Sequence, residues 1–526
     1  MASIMGAWCV WWRLACPVTC CSPAEHLSQL LGTYSVTPQN PGSVIDVMSP
    51  YCLRAPSLGF ARPPQRRWQT LADTTLPQHR SMASFQIKQK PDVIVIGSGI
   101  AGLSASIAAA EKGASVLLLE RSHGEGTTAL SGGIVYASGG TQQQKEAGYD
   151  DTPGSMFAYL RQEIGDVVKE KMLKRFCDES PGVIKWLEKH GARFKRALSP
   201  YKTSYPNTQH YLYFSGSEKA YPYSSLAKPA PRGHRMVYDG FSGAGIANAL
   251  LDGARQLGVQ IVPASKVEKI LLAKDGSVRG VEYLTRANSS SKLAKHEKLT
   301  RRALNYQITL PLIAGWLHNR ASKTFEHNAQ FATTKAPTII LTTKGFSYSP
   351  EMRKKHLPDF QGVTPFGTPA DDGSGIMLGV SVGGSTSYIG LPPVLKMQRY
   401  HWLYWDHKKA RSLENLAKKF GISPQGLRQT VDAYSDAIKN DKPDPANKMP
   451  NTRSPILKPL FYGIDIFIKL TKGLQQVVRL SLGGLRVEEE SGLVLDEAGK
   501  TIKGLYAAGR NAVGICSSTY ESFAAR

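Results

Sequence analysis

Apolar and polar positions first fall into a sharp pattern between residues 92 and 120. Val93 to Ile96 is an unbroken apolar run of the kind a strand buried on both faces requires. An alanine-rich stretch reaching about Lys112 predicts a helix, and Ser115 to Leu119 predicts a second strand that ends on Glu120. Further on, Met156–Ile164 and Met172–Lys189 are amphipathic at helical spacing, as is Ile246–Leu257, which leads into a strand at Gln260–Val262. Lys266–Leu272 and Val278–Leu284, joined at Asp275-Gly276, predict a hairpin. Residues 287–330 are polar and basic around a helical core at 310–318, expected to be a packed helix rather than one lying on a membrane. Ala336–Leu341 predicts a buried strand, and Ser412–Phe420 and Pro424–Lys439 a helical pair joined by Gly421-Ile422-Ser423. Near the end, 483–487 and 492–496 form a hairpin, and Gly504–Arg510 a strand and turn. Strands alternating with helices make the fold class α/β.

The first strand and helix enclose Gly97-Ser98-Gly99-Ile100-Ala101-Gly102. Gly97 permits the tight turn, Gly99 allows a pyrophosphate to approach the backbone, and Gly102 lets the helix close on the strand. The helix N-terminus offers N–H groups and a positive dipole end to phosphates. Glu120 follows where a carboxylate can accept the ribose hydroxyls of an adenosine. Strand, turn, helix and acid agree on a dinucleotide, without separating NAD from FAD.

At 526 residues the chain is long enough for two or more lobes. The net charge of +24 is spread along the sequence rather than gathered into a block, and no nucleic-acid motif accompanies it. No run of eighteen apolar residues is present; the best stretch, Met5 to Cys21, is interrupted by Arg13 and Pro17. Five of the seven cysteines precede the glycine turn, which argues against a disulfide framework in the folded part. Residues 1–81 hold six Arg, no Lys and three acids, and read as a disordered or transit-like leader before Met82. The expected location is cytoplasmic or peripheral to a membrane, and mitochondrial if the leader is a transit segment. There is no zinc spacing, nucleophile elbow or P-loop, so hydrolase and NTPase readings lack support, and no metal is expected.

Two further runs carry a resemblance. Residues 127–144 include Ser131-Gly132-Gly133, and the C-terminal run Gly504-Leu505-Tyr506-Ala507-Ala508-Gly509 pairs with the glycine turn. With Asp371-Asp372-Gly373-Ser374-Gly375-Ile376, these resemble the flavoproteins that include fumarate reductases, succinate dehydrogenases and 3-ketosteroid Δ1-dehydrogenases. The resemblance spans roughly residues 90–526 and implies FAD. It implies a Rossmann-like FAD-binding domain at 82–388 and 476–526, with an inserted α+β capping domain at 389–475. As cofactor contacts it implies Gly97, Ser98, Gly99, Ile100, Ala101 and Gly102, then Glu120, Arg121, Ser131, Gly132 and Gly133, and finally Val267, Gly345, Asp372 and Gly509. Lys344 stands where that family has a glycine, adding bulk where the backbone nears the cofactor.

The ketosteroid branch is the nearer of the two. Ser481-Leu482-Gly483-Gly484 occupies the place where the fumarate branch carries a His, so a dicarboxylate would lack a charged partner. Tyr520 matches the tyrosine that follows the C-terminal glycine run in the ketosteroid branch. The resemblance makes Tyr520 the hydrogen-bond donor to the substrate carbonyl and Tyr205, or a neighbour such as Tyr211, the base. The implied reaction introduces a C1–C2 double bond beside the ketone of a 3-ketosteroid or related triterpenoid ketone and passes electrons to an unidentified acceptor. The second lobe lacks the family's usual opening stretch, leaving Tyr388, Tyr400 and Tyr404 as local tyrosines, and the sequence ends six residues after Tyr520. A fumarate-reductase-like reductase and a flavin-binding relative without turnover are the alternatives.

Overall fold

The computed structural model describes residues 90–515, apart from 123–125, 201–208, 287–289, 307–310, 327–328, 359–363, 366, 390–393, 397–406, 443–452, 466–476 and 480, together with two short earlier strands. Its centre is a six-stranded sheet. The strands are β1 (Val93–Ile96), β2 (Val116–Leu119), β3 (Gln260–Val262), β4 (Thr338–Leu341), β5 (Leu493–Leu495) and β6 (Thr501–Ala507). They lie in the order β5-β6-β4-β1-β2-β3. All neighbours are parallel except β5, which runs antiparallel beside β6.

The unbroken apolar runs follow from burial on both faces. Val93 and Val95 of β1, with Val116 and Leu118 of β2, face a core shared with helices α1 (Ile100–Glu111) and α2 (Ser242–Gln256). Ile94, Ile96, Leu117 and Leu119 point the other way, into a core shared with an antiparallel meander. The meander's strands are Ser265–Leu272, Val278–Thr285 and Gln330–Lys335. Its first hairpin turns at Gly276, whose φ of +78° suits glycine. Two helices, Ser290–Tyr306 and Pro311–Glu326, interrupt the meander before its third strand. The second is packed on one face through Ala314, Leu317, Ala321 and Phe325, while Ile313 and Trp316 remain exposed.

Helices Pro153–Ile164 and Glu170–Lys189 form a separate apolar cluster through Met156, Leu160, Leu173 and Phe176. They are tied to a small sheet, Ile134–Tyr136 with Gly233–Arg235 and Leu212–Tyr213, by a buried polar network. Arg232, fully buried, donates to both Asp151 oxygens at 3.0 and 2.9 Å. His234 spans Thr141 Oγ1 at 2.8 Å and the Arg232 carbonyl at 3.0 Å. Burial pushes the His234 imidazole down to about 4.

The described part of the second lobe pairs strand His407–Ala410 with Phe461–Asp465 and packs helices Leu413–Phe420 and Pro424–Lys439 in one core. The linking segment works as a stop and a start: Gly421 ends one helix in the left-handed region, and the Ser423 side chain caps the next. Strands Thr33–Val36 and Ile45–Met48 extend this sheet, the second pairing with Phe461–Asp465. The α/β expectation holds, with an α+β lobe inserted before the sheet is completed by β5 and β6.

Candidate cofactor site

The glycine turn leaves the carboxyl end of β1 and feeds α1, which places the helix N-terminus beside the crevice at the strand ends. Gly97 has φ +101°, and a Cβ there would lie 2.8 Å from the Thr342 carbonyl oxygen. At Gly102 a Cβ would fall 1.8 Å from the Gly97 carbonyl oxygen, so only glycine allows helix and strand to close. Thr342, just after β4, donates its hydroxyl to the Ile96 and Gly97 carbonyls at 2.7 and 2.9 Å and locks the turn across the sheet. Gly99 differs. Its nearest neighbour would be 3.8 Å from an added Cβ, so that face stays open. No acidic side chain lies in the first turn of α1, and Gly99 provides no side-chain cap. The Ile100 N–H donates to Thr128 Oγ1 at 3.0 Å, which brings the loop after β2 against the turn. Ile100 and Ala101 are buried.

Glu120 is nearly buried and held rigidly. Its Oε2 accepts from the Ser98 N–H and hydroxyl at 2.9 and 2.7 Å, and its Oε1 from the Ser122 N–H at 2.7 Å. A carboxylate accepts about four hydrogen bonds, so capacity remains for a ribose hydroxyl. Ser98 is fully buried and acts by orienting Glu120. Val267 is buried in the apolar core, two residues after Ser265, whose N–H bonds the Glu120 carbonyl at 2.8 Å. That contact ties its strand to the adenosine end.

Arg121 and Asp372 form one ion pair at 2.5 Å. Burial works to raise the Asp372 carboxyl, but Arg121 and the Ser374 N–H outweigh it and hold it below its ordinary value. Asp372 thereby also caps helix α3 (Ser374–Val380), with its oxygen 3.1 Å from the Ser374 N–H. Next to it, Asp371 Oδ2 accepts from Arg510 at 2.7 Å, and Arg510 also reaches Ser481 Oγ at 3.0 Å. Ser481 Oγ in turn accepts from the Phe346 N–H at 2.9 Å. Gly345 faces this cluster: a Cβ there would sit 2.2 Å from Ser481 Oγ. The position that distinguished this chain from the fumarate branch is thus a latch between the C-terminal turn and the loop after β4.

Gly509, at φ +66°, brings the end of β6 against α1, where its Cβ would approach Ala101 Cβ to 2.9 Å. The two glycine runs therefore meet in one place. Ser131, Gly132 and Gly133 lie against the start of α2; a Cβ at Gly133 would fall 2.2 Å from the Ser242 carbonyl carbon. The Gly133 N–H donates to Ser131 Oγ at 3.2 Å. Two buried polar atoms here lack partners among the described residues, the acceptor Asp371 Oδ1 and the donor Asn511 Nδ2. With the open Gly99 face and the fixed Glu120, they fit a bulky polar ligand reaching from adenosine to a ring system.

Lys344 has φ +82° and stands beside this crevice, its ammonium donating to Thr368 Oγ1 at 2.6 Å. Burial pulls its pKa below the usual lysine value; Glu120 and Asp371 oppose that, and Arg121 and Arg510 add to it. Among the described residues no group of three His, Cys, Asp or Glu is placed to hold a metal.

Tyr205 and Tyr520 lie outside the described residues. Tyr211, the neighbour named with Tyr205, has the Lys195 ammonium and the Arg235 guanidinium 5.7 and 5.6 Å from its ring centre. Tyr213 is buried and bonds the His210 carbonyl, Tyr223 is buried against Tyr159, and Tyr221 is exposed. Thr128 and Thr342 were not singled out from the sequence, and Asp371 and Arg510 appeared there only within longer runs, without a role. Each works through a partner distant in the chain, and no local pattern marks it.

Residues 92–395 and 393–523 match the family described as FAD binding domain. The 3-oxo-5-alpha-steroid 4-dehydrogenase of Comamonas testosteroni is 29% identical over 82% of this chain and 94% of its own. The 3-oxosteroid 1-dehydrogenase of Mycolicibacterium smegmatis is 36% identical over 24% of this chain and 22% of its own. Among solved structures, the 3-ketosteroid-delta4-(5alpha)-dehydrogenase of Rhodococcus jostii RHA1 shares the fold with a TM-score of 0.67 at 24% identity, over 83% of this chain and 93% of that one. The chain belongs to the FAD binding domain family of flavoproteins, and its cofactor is FAD.

Proposed function

We propose that the protein is an FAD-dependent dehydrogenase that oxidises a CH–CH bond beside the ketone of a 3-ketosteroid or a related polycyclic ketone. The observation that carries this reading is the match along nearly the whole length of a 3-oxo-5-alpha-steroid 4-dehydrogenase. The latch at Ser481 supports it, because that side chain is spent on Phe346 and Arg510, and the Arg510 guanidinium beside it is already committed to Asp371 rather than held ready for a dicarboxylate. FAD supplies the hydride acceptor. The protein must polarise the ketone and remove a proton from the neighbouring carbon. Tyr520 is the proposed carbonyl donor and Tyr205 the proposed base, on the sequence resemblance alone.

The bond oxidised is a finer matter. The sequence points to C1–C2, but the relative matched over most of the chain is named for position 4, and the 1-dehydrogenase matches over about a quarter. The C4–C5 bond is therefore the first reading and C1–C2 the second. The test is to incubate the protein with a 5α-saturated 3-ketosteroid and an artificial electron acceptor, then identify the product by mass and NMR. A 4-ene product supports the first reading, a 1-ene product the second, and recovery of unchanged steroid contradicts both. Tyr520→Phe is expected to slow turnover by about 10²–10³-fold while leaving the flavin spectrum intact.

A further inference from the structure

Lys344 is a residue whose position makes little sense for the protein alone. A non-glycine residue at φ +82° carries backbone strain, and its ammonium is partly withdrawn from water. Yet its ammonium bonds only a hydroxyl, Thr368 Oγ1 at 2.6 Å, and no carboxylate pairs with it among the described residues. The nearby acids are committed elsewhere. Asp371 accepts from Arg510, Asp372 pairs with Arg121, and Glu120 is held by Ser98 and Ser122.

Its location gives the reason. Lys344 Cε lies 3.8 Å from where a Cβ on Gly126 would stand, and that point is 3.1 Å from Gly99 Cα. The lysine thus reaches past Gly126 towards the Gly99 side of the glycine turn, near the N-terminus of α1, where Thr128 Oγ1 takes the Ile100 N–H and Gly99 supplies no side-chain cap. On helix Pro311–Glu326, burial and then the Lys344 charge hold the His318 imidazole below its ordinary value, and His318 Nε2 is buried without a partner among the described residues.

We propose that Lys344 is a ligand of the FAD pyrophosphate, adding a side-chain cation to the backbone cradle formed by the glycine turn. This rests on FAD as the cofactor and deepens it. The lysine bulk at a glycine position then does not obstruct the cofactor, since its charge replaces close backbone approach with a charge-assisted hydrogen bond. It also steepens the dependence of FAD binding on ionic strength beyond that of a backbone cradle alone.

The test uses the full chain stripped of flavin, with FAD and riboflavin binding measured by fluorescence quenching at several salt concentrations. Lys344→Gln is expected to weaken FAD binding roughly ten- to hundredfold and to flatten its salt dependence. Riboflavin, which has no pyrophosphate, should bind both proteins equally. Lys344→Arg, which keeps the charge, should retain most of the FAD affinity and its salt dependence. Unchanged or tighter FAD binding by folded Lys344→Gln would overturn the proposal and make the lysine a plug or a bystander. If Lys344→Gln fails to fold, Lys344→Arg and the wild-type protein decide: salt-independent FAD binding by both would overturn the proposal equally. Failure of the wild-type protein to bind FAD at all would instead strike the cofactor assignment.

Discussion

One methyl group at Gly102 would collide with the Gly97 carbonyl at 1.8 Å, so the first helix can rest on its strand only without it. Gly102→Ala is therefore expected to lose about 1–3 kcal/mol of stability or more, and to purify with little flavin. Thermal unfolding together with the flavin-to-protein absorbance ratio checks both; an unchanged melting point with full flavin would contradict the geometry. The glycines were legible in the sequence because a backbone demand is written directly as a residue type. Their partners were not. Thr342 locks the turn from another strand, Thr128 from the loop after β2, and the Asp371–Arg510 pair joins segments brought together only by the finished sheet. Lys344 was visible as a departure, but its meaning depends on what stands around its ammonium.

At the scale of elements, the buried Arg232–Asp151 pair holds the helical unit to the small sheet behind the Ser131–Gly133 loop. Both side chains are excluded from solvent, so removing one charge strands the other. Asp151→Asn is expected to destabilise the protein by about 3–5 kcal/mol, read as a fall in the denaturation midpoint with urea. A change within experimental error would show that the pair is dispensable. Element existence was legible wherever the period was strong: the β1–α1–β2 unit, the Asp275-Gly276 hairpin, and the helix pair around Gly421. The region 287–330 was harder. It forms two helices, yet only the apolar core of the second showed in the sequence, because the first is polar along its length and buries such positions as His296 and Ala303 rather than an apolar stripe.

Across the whole molecule, the sheet is completed by strands from both ends of the folded region, with β6 beside β4 and β4 beside β1. That closure sets Gly509 against α1 and assembles the cofactor crevice from the first and last motifs of the chain. A sequence reading could pair those motifs through family resemblance; the physical pairing is a consequence of parallel strand order. Among the described residues no helix is long and apolar enough to cross a membrane. The most direct measurement is an anaerobic titration of the purified full chain with a saturated 3-ketosteroid, followed by its visible spectrum. The expected result is a yellow protein whose flavin bands bleach in proportion to added steroid and return when an electron acceptor is admitted. A protein that stays fully oxidised in excess steroid would contradict the proposed reaction, and a colourless protein that takes up no FAD would contradict the cofactor on which that reaction depends.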